Sequence, residues 1–233
     1  EEMAVRLAGD SRSPEAEIRY TLDGSEPTAK SPLYRAPVKL TQTIVNNESA
    51  DIIRMLNGAF NAIGATPGDY WPTALRAEID GYNERIYTTL NNGVYRSGFA
   101  TTQAAYEDAV TPLFDTLDWL EDHLAQRRFL CGDQLTEADI RLFTTLVRFD
   151  AVYHGHFKCN LRRIVDYPNL WAYTRDIHQL PGIARTVDFV HIKRHYYMSH
   201  RRINPTGVVP LGPVLDFDAP AERGRNVDKL IVF

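Results

Sequence analysis

The pattern of hydrophobic and polar positions divides the chain into a turn-rich β part and a long helical part. Residues 18–22 (IRYTL) alternate as a strand does, and residues 23–27 (DGSEP) follow as a turn. Residues 31–34 and 36–40 are short segments whose prolines restrict them to the edge of a sheet. We therefore predict β hairpins in residues 1–40, which are too few to bury a core of their own.

Apolar residues at helical spacing occur at residues 50–60 and dominate the chain from about residue 75 onward. A short strand is predicted at residues 43–45, and Asn47 or Ser49 is placed to cap the helix that follows it. Pro112 predicts a kink or a break, and residues 91–93 (NNG) predict a stop. The periodicity predicts helices over residues 50–60, 75–90, 102–126, 136–152, 170–179 and 183–195.

The composition is that of a globular protein with a slight acidic excess. Of the 233 residues, 44% are hydrophobic and 24% are charged, with a formal net charge of −4. This charge argues against nucleic-acid binding through phosphate neutralisation, and no apolar run reaches the length of a membrane helix. The first residues lack the basic and apolar regions of a signal peptide, although a methionine at position 3 indicates a start further upstream. We expect a cytoplasmic protein with neither nucleic-acid nor membrane partners.

Two stretches in the second half resemble the C-terminal domain of glutathione transferases. Residues 129–140 (FLCGDQLTEADI) contain a capping motif, in which Thr136 and Asp139 satisfy free amides at a helix start. A capping motif alone is common and carries no function. Its wider setting, together with residues 167–173 (YPNLWAY), resembles the buried helix start and the next helix of that domain.

Three further stretches narrow the resemblance to the glutathionyl-hydroquinone reductases, the Xi class of glutathione transferases. They are residues 43–54 (TIVNNESADIIR), 92–100 (NGVYRSGFA) and 191–213, and the resemblance runs from about residue 41 to the end. It implies a thioredoxin-like domain followed by a helical domain, glutathione as cosubstrate, hydroquinone-type substrates and a homodimer. In such enzymes the cysteine of a Cys-Pro-Trp motif takes the glutathionyl group from a glutathionyl-hydroquinone, and glutathione then resolves the mixed disulfide.

The Cys-Pro-Trp motif is absent from this sequence, which has two cysteines, Cys131 and Cys159. Cys131 lies in the capping segment, and Cys159 follows a long predicted helix instead of beginning one. Both are interpreted as buried, inert core residues, so no catalytic residue is predicted. We expect the activity of the resembled enzymes to be impaired in this chain. The alternative is a non-catalytic helical module that binds an aromatic ligand or dimerises.

The resemblance predicts two sets of binding residues. Glu48 and Ser49, with Val45 before them, resemble a glutathione site in which a helix start and a hydroxyl hold a carboxylate and an acid meets the ammonium group. From the Glu48-Ser49 spacing alone, an ordinary helix cap is the favoured interpretation, and the family resemblance is what favours ligand binding. Tyr95 and Tyr196 match the positions that place phenol hydroxyls over the hydroquinone, where they donate to an oxygen and stack on the ring.

Other polar residues give weaker signals. Tyr153 and Tyr197 are secondary candidates for the hydroquinone pocket, with structural packing as the alternative. Five histidines cluster in two regions without the carboxylate and third ligand that a metal site needs, so no metal is predicted; they are His154, His156, His191, His195 and His200. The basic pairs at residues 127–128, 162–163 and 201–202 are interpreted as solvated faces or carboxylate partners.

Residues 1–40 do not resemble a thioredoxin-like domain. Residues 18–28 and 31–34 are instead similar to the β module at the C-terminus of chitobiases and β-hexosaminidases. We predict a mainly α chain with three parts: a β-rich segment at 1–40, a strand–helix remnant of a thioredoxin-like domain at 41–66, and a glutathione-transferase C-terminal helical bundle at 67–233.

Overall fold

A computed structural model describes residues 3–5, 30, 38–40, 48–61 and 68–223, and the structural statements below concern these residues. The chain forms two compact units, Glu1–Ile52 and Ile53–Phe233. The domain boundaries near residues 40 and 66 stay predictions.

The first unit contains a two-stranded antiparallel sheet and the start of a helix. Strand β1 (Met3–Val5) pairs with β2 (Val38–Leu40), with Met3 opposite Leu40. Strand β2 falls within the segment predicted at residues 36–40. The predicted strands at residues 18–22, 31–34 and 43–45, and the turn at 23–27, lie outside the described residues.

Helices make up the second unit, as the sequence periodicity predicts. Helix α4 packs against α3 and α7, and its residues Leu113, Leu117 and Leu120 are fully buried. Two π-helical turns, Tyr87–Asn91 and Phe149–Tyr153, extend α2 and α5. The helices are α1 (Ser49–Ala59), α2 (Arg76–Ile86), α3 (Gly93–Gly98), α4 (Gln103–Leu124), α5 (Glu137–Arg148), α6 (His154–His156), α7 (Pro168–His178) and α8 (Phe189–Ser199).

The predicted break at Pro112 is wrong, because helix α4 continues through it, and the alternative, a kink, stays a prediction. The stop predicted at residues 91–93 lies where the first π-helical turn ends at Asn91, and the short helix α3 that Gly93 begins was not predicted. The helix predicted from residue 183 begins at Phe189, because the Asp188 side chain caps it by accepting a hydrogen bond from the His191 amide at 2.9 Å. A short 3₁₀ turn, Ala184–Thr186, occupies the predicted start.

The carboxylate of Asp139 joins the segments around the start of α5. This fully buried group accepts hydrogen bonds from the Leu130 amide at 2.9 Å and the Tyr173 hydroxyl at 2.8 Å on one oxygen. Its other oxygen accepts from the amide and the hydroxyl of Thr136, at 2.8 and 2.9 Å. Burial raises the pKa of Asp139 while the donated hydrogen bonds favour its charged form. One side chain thus ties α5 to the preceding loop and to α7.

The neighbouring acid, Glu137, connects the second half of α1 to the bundle. Its buried carboxylate accepts from Arg54 at 2.9 Å and from the amide of Asn83 on α2 at 2.9 Å. The Arg54 guanidinium also lies 4.1 Å from the centre of the Trp71 ring, a cation–π contact. In the part of the chain that the structure describes, no helix is long and apolar enough to cross a membrane.

Replacing Asp139 by Asn tests whether this carboxylate holds the bundle together. In the Asn variant an NH2 group replaces one carboxylate oxygen and faces N–H and O–H donors that it cannot accept from. We therefore expect a loss of about 3 kcal/mol in the free energy of unfolding, measured with urea. Asp115→Asn, at an exposed position of α4, is the matched control and should cost less than about 0.5 kcal/mol. Equal, small losses in the two variants would contradict this role for Asp139.

Candidate functional site

The structure brings three tyrosine hydroxyls together in the second unit. The Tyr196 hydroxyl lies 2.7 Å from the Tyr95 hydroxyl and 2.9 Å from the Tyr153 hydroxyl, both hydrogen-bonding distances. Tyr153 and Tyr196 are buried, whereas Tyr95 is 40% exposed and forms the open end of the group. We call these three side chains the phenol cluster.

Three separate elements position the phenol cluster. Tyr95 lies on α3, which follows the first π-helical turn, and Tyr196 lies near the end of α8. Tyr153 is the last residue of the second π-helical turn. Such turns insert an extra residue into a helix and thereby redirect the side chains after it. Tyr153 is only a secondary candidate in the sequence, because periodicity alone does not reveal a π-helical turn.

The phenol cluster is a source of hydroxyl protons at neutral pH. Burial raises the pKa of Tyr196 to about 12, and burial together with the nearby phenols raises the pKa of Tyr153 well above its usual range. Each phenol has one proton to donate, and the two bonds within the cluster use two of these three protons. One O–H is therefore available to donate to an oxygen atom of a ligand.

Phe157 forms the apolar base on which the phenol cluster rests. Its buried ring lies 5.3 Å from the Tyr95 ring, 5.5 Å from the Tyr153 ring and 5.9 Å from the Tyr196 ring, between centroids. Gly98 makes room for it, since a Cβ atom at position 98 would lie 2.3 Å from the Phe157 ring. Neither residue is among the site residues predicted from the sequence. Neither a buried phenylalanine nor a helical glycine is distinctive in a sequence.

The predicted glutathione-binding residues lie at the start of α1, in the first unit. Ser49 is the first residue of the helix, and a carboxylate oxygen of Glu48 lies 3.3 Å from the Ala50 amide, from which it accepts a hydrogen bond. Both side chains are exposed. Glu48 therefore makes the capping contact that was predicted for Asn47 or Ser49, while Asn47 and Val45 lie outside the described residues. The glutathione assignment of Val45, Glu48 and Ser49 stays a prediction.

The two cysteines are poor nucleophiles in this structure. Burial raises the pKa of Cys159 to about 12 and that of Cys131 to about 11. Thiols with such pKa values are almost entirely protonated at neutral pH, whereas thiol–disulfide exchange requires the thiolate. Cys159 is fully buried and Cys131 is half-buried.

Two of the basic pairs contain residues that form ion pairs. Arg128 binds Asp176, and Arg162 binds Asp118, which accounts for members of two of the basic pairs as carboxylate partners. Among residues 3–5, 30, 38–40, 48–61 and 68–223, no three histidine, cysteine or acidic side chains are grouped to hold a metal ion.

Comparison with protein families identifies two parts of the chain. The family described as "Glutathione S-transferase, C-terminal domain" matches residues 103–176. A family described as "Fn3 associated" matches residues 5–69. The predicted likeness of residues 1–40 to the chitobiase module receives no support from this second match.

Curated relatives match most of this chain but only part of their own length. The glutathionyl-hydroquinone reductase PcpF of Sphingobium chlorophenolicum is 61% identical over 193 residues, which are 80% of this chain and 62% of that protein. The glutathionyl-hydroquinone reductase YqjG of Escherichia coli is 59% identical over 189 residues, with coverages of 81% and 57%. The chain therefore spans about three fifths of the length of these relatives.

Solved structures give the same result for the fold. The glutathione-bound structure of YqjG from Escherichia coli has a TM-score of 0.76 at 57% identity, covering 81% of this chain and 62% of that one. The glutathione transferase Xi of Phanerochaete chrysosporium has a TM-score of 0.72 at 54% identity, with coverages of 77% and 60%. The predicted fold class, a mainly α chain with a glutathione-transferase C-terminal bundle, is confirmed.

A methyl group at position 98 tests the packing beneath the phenol cluster. In Gly98→Ala the new Cβ must displace Phe157, so we expect a loss of about 1–3 kcal/mol in the free energy of unfolding. Gly81→Ala is the control, because nothing lies within 4 Å of its new Cβ in α2. That control should gain up to about 1 kcal/mol from the higher helix propensity of alanine. A stabilised Gly98→Ala protein would show that Phe157 does not pack against Gly98.

Proposed function

Because this chain is homologous to the glutathionyl-hydroquinone reductases and carries a glutathione-transferase C-terminal domain, we propose that it binds hydroquinone-type ligands at the phenol cluster. We further propose that this chain does not reduce glutathionyl-hydroquinones at a useful rate. The observation that carries both proposals is a donor-rich aromatic cluster in a chain whose two thiols are protonated at neutral pH.

Reduction of a glutathionyl-hydroquinone requires a thiolate and a proton donor, and of these two this chain supplies only the proton donor. A thiolate must attack the glutathionyl sulfur, forming an S–S bond while the bond between that sulfur and the ring carbon breaks. The ring carbon keeps the electron pair of the broken bond and takes a proton, which the phenol cluster can donate. The thiolate of a second glutathione then attacks the mixed disulfide, which releases glutathione disulfide and restores the protein thiolate. Cys131 and Cys159 do not meet the first requirement, because both are protonated and at least half-buried.

Glutathione is the proposed ligand of the residues at the start of α1. Glu48 and Ser49 at the start of α1 offer a carboxylate for an ammonium group, and amides with a hydroxyl for a carboxylate. This part of the proposal is supported by the glutathione-bound structure of YqjG, to which the chain is similar. Since the Glu48 carboxylate already accepts from the Ala50 amide, we expect weak affinity for glutathione alone.

A homodimer is proposed from an exposed apolar segment of the C-terminal tail. Leu211 and Val214 are 98% and 99% exposed, and Val208 is mostly exposed as well. Leu211 and Val214 lie three residues apart in the sequence, and grouped apolar side chains that are open to water commonly mark an interface. The non-catalytic alternative, a helical module that binds an aromatic ligand or dimerises, rests on this segment and on the phenol cluster.

Turnover of glutathionyl-menadiol with glutathione tests the catalytic proposal. We expect this chain to give the uncatalysed rate, because neither cysteine supplies a thiolate. The complete YqjG enzyme, measured in parallel, provides the positive control. A rate near that of YqjG would contradict the proposal, most decisively if it survived in Cys131→Ser and Cys159→Ser variants.

Binding of menadiol under anaerobic conditions, measured by isothermal titration calorimetry, tests the site itself. Tyr95→Phe should weaken the affinity about 5-fold by removing one hydrogen bond. Tyr87→Phe changes an exposed tyrosine outside the phenol cluster and should leave the affinity unchanged. An affinity for menadiol that is unchanged in both variants would show that the ligand binds elsewhere.

Light scattering after size-exclusion chromatography tests the proposed homodimer. The wild-type chain should have the mass of two chains, and replacing both Leu211 and Val214 by Ser should give the mass of one. Leu161→Ser removes another exposed leucine outside the tail and should not change the mass. A monomeric wild-type chain would refute the proposal.

A further inference from the structure

Two rows of rings face each other, and each row begins with a tyrosine of the phenol cluster. Tyr95 and Phe99 are four residues apart along α3 and its C-terminal cap, and Tyr196 and His200 are four residues apart along α8 and its cap. At one end the Tyr95 and Tyr196 hydroxyls meet at 2.7 Å. At the other end the Phe99 and His200 rings meet edge to face, with centroids 5.2 Å apart. The rows therefore have a phenolic end and an imidazole end.

Phe157 lies beneath both ends. Its ring centroid is 5.3 Å from Tyr95 and 5.6 Å from both Phe99 and His200, and it stacks on His200 at an interplanar angle of 20°. Tyr95 is 40% exposed and Phe99 is 45% exposed. A flat aromatic ligand can therefore cover the exposed Tyr95 and Phe99 rings, which the buried Phe157 ring supports from beneath.

His200 is held in place by a second histidine. Its Nδ1 atom lies 3.2 Å from Nε2 of the buried His156, and the two rings stack at 21°. The contact uses Nδ1, so Nε2 is the nitrogen of His200 that is left for a ligand. In the sequence both histidines were candidates only for metal binding, and the contact between their rings is visible only in the structure.

We propose that His200 binds the second oxygen of a para-dihydroxylated ring whose first oxygen contacts the phenol cluster. This inference rests on the proposed function, because it assigns the far end of the same site. Four residues of helix advance about 6 Å, which is comparable to the span between the two oxygens of such a ring. The proposed determinant therefore selects ligands with oxygens at opposite ends of the ring.

A neutral imidazole can serve both oxidation states of such a ligand. Burial and the nearby His195 lower the pKa of His200, and burial with His200 and Lys158 lowers the pKa of His156 to about 4, so both are neutral at pH 7. When Nδ1 of His200 donates to His156, Nε2 accepts a hydroxyl proton of a hydroquinone. When Nδ1 accepts from His156, Nε2 donates to the carbonyl oxygen of a quinone.

Calorimetric titration of the whole chain with hydroquinone and with phenol, both under anaerobic conditions, tests the assignment. We expect hydroquinone to bind about 5-fold more tightly than phenol, since it makes one additional hydrogen bond. His200→Phe keeps the ring that packs on Phe99 and Phe157 but removes both nitrogens, so it should bind the two ligands equally. His191→Phe, at an exposed position of the same helix, should keep the 5-fold preference.

The outcomes separate this inference from the proposed function. If Tyr95→Phe weakens both ligands while His200→Phe keeps the preference for hydroquinone, the assignment of His200 is wrong and the phenol cluster remains a ligand site. If neither ligand binds the wild-type chain, the proposed function fails and the inference fails with it.

A second measurement on the wild-type chain does not depend on the folding of a variant. With ¹⁵N-labelled histidine, hydroquinone should shift the Nε2 resonance of His200 and phenol should leave it in place. A His200 Nε2 resonance that is unmoved by saturating hydroquinone would overturn the assignment.

Discussion

The buried carboxylate of Asp139 is the interaction on which the helical bundle depends. A charged group without water is strongly unfavourable unless donors surround it, and Asp139 receives its donors from the loop before α5, from the first turn of α5 and from α7. The donors come from distant parts of the chain, so the carboxylate is satisfied only when these segments are in place together. Glu137, two residues earlier, adds Arg54 and Asn83 to the same junction.

The aromatic site is a consequence of this junction. Helix α5 leads from Asp139 into the π-helical turn that carries Tyr153, and then through α6 to Phe157. Tyr95 and Tyr196 come from α3 and α8 and meet Tyr153 above the Phe157 ring. The positions of the phenol hydroxyls are therefore fixed by packing in the bundle. Burial, complete for Cys159 and partial for Cys131, also raises the pKa of both thiols.

The sequence predicts the helices and the capping motif of α5 well, because apolar periodicity and local capping chemistry act over a few residues. Resemblance to a family also predicts Tyr95 and Tyr196 as site residues, and the structure brings their hydroxyls together, while their role in binding stays a proposal. The sequence misses contacts that need the tertiary structure. The contact of Tyr153 with Tyr196 depends on a residue inserted at a π-helical turn. Two further features join residues that are distant in the sequence: the space that Gly98 leaves for Phe157, and the His156–His200 contact. The start of α8 was misplaced because Asp188 competes as a cap with an apolar pattern that begins earlier.

A crystal structure of this chain with bound hydroquinone tests the central claim most directly, namely that the bundle alone contains an aromatic ligand site. The ring should cover the exposed Tyr95 and Phe99 rings, with one oxygen within hydrogen-bonding distance of the Tyr95 or Tyr196 hydroxyl. A ligand bound elsewhere on the chain, with Tyr95 and Phe99 left open, would contradict the claim.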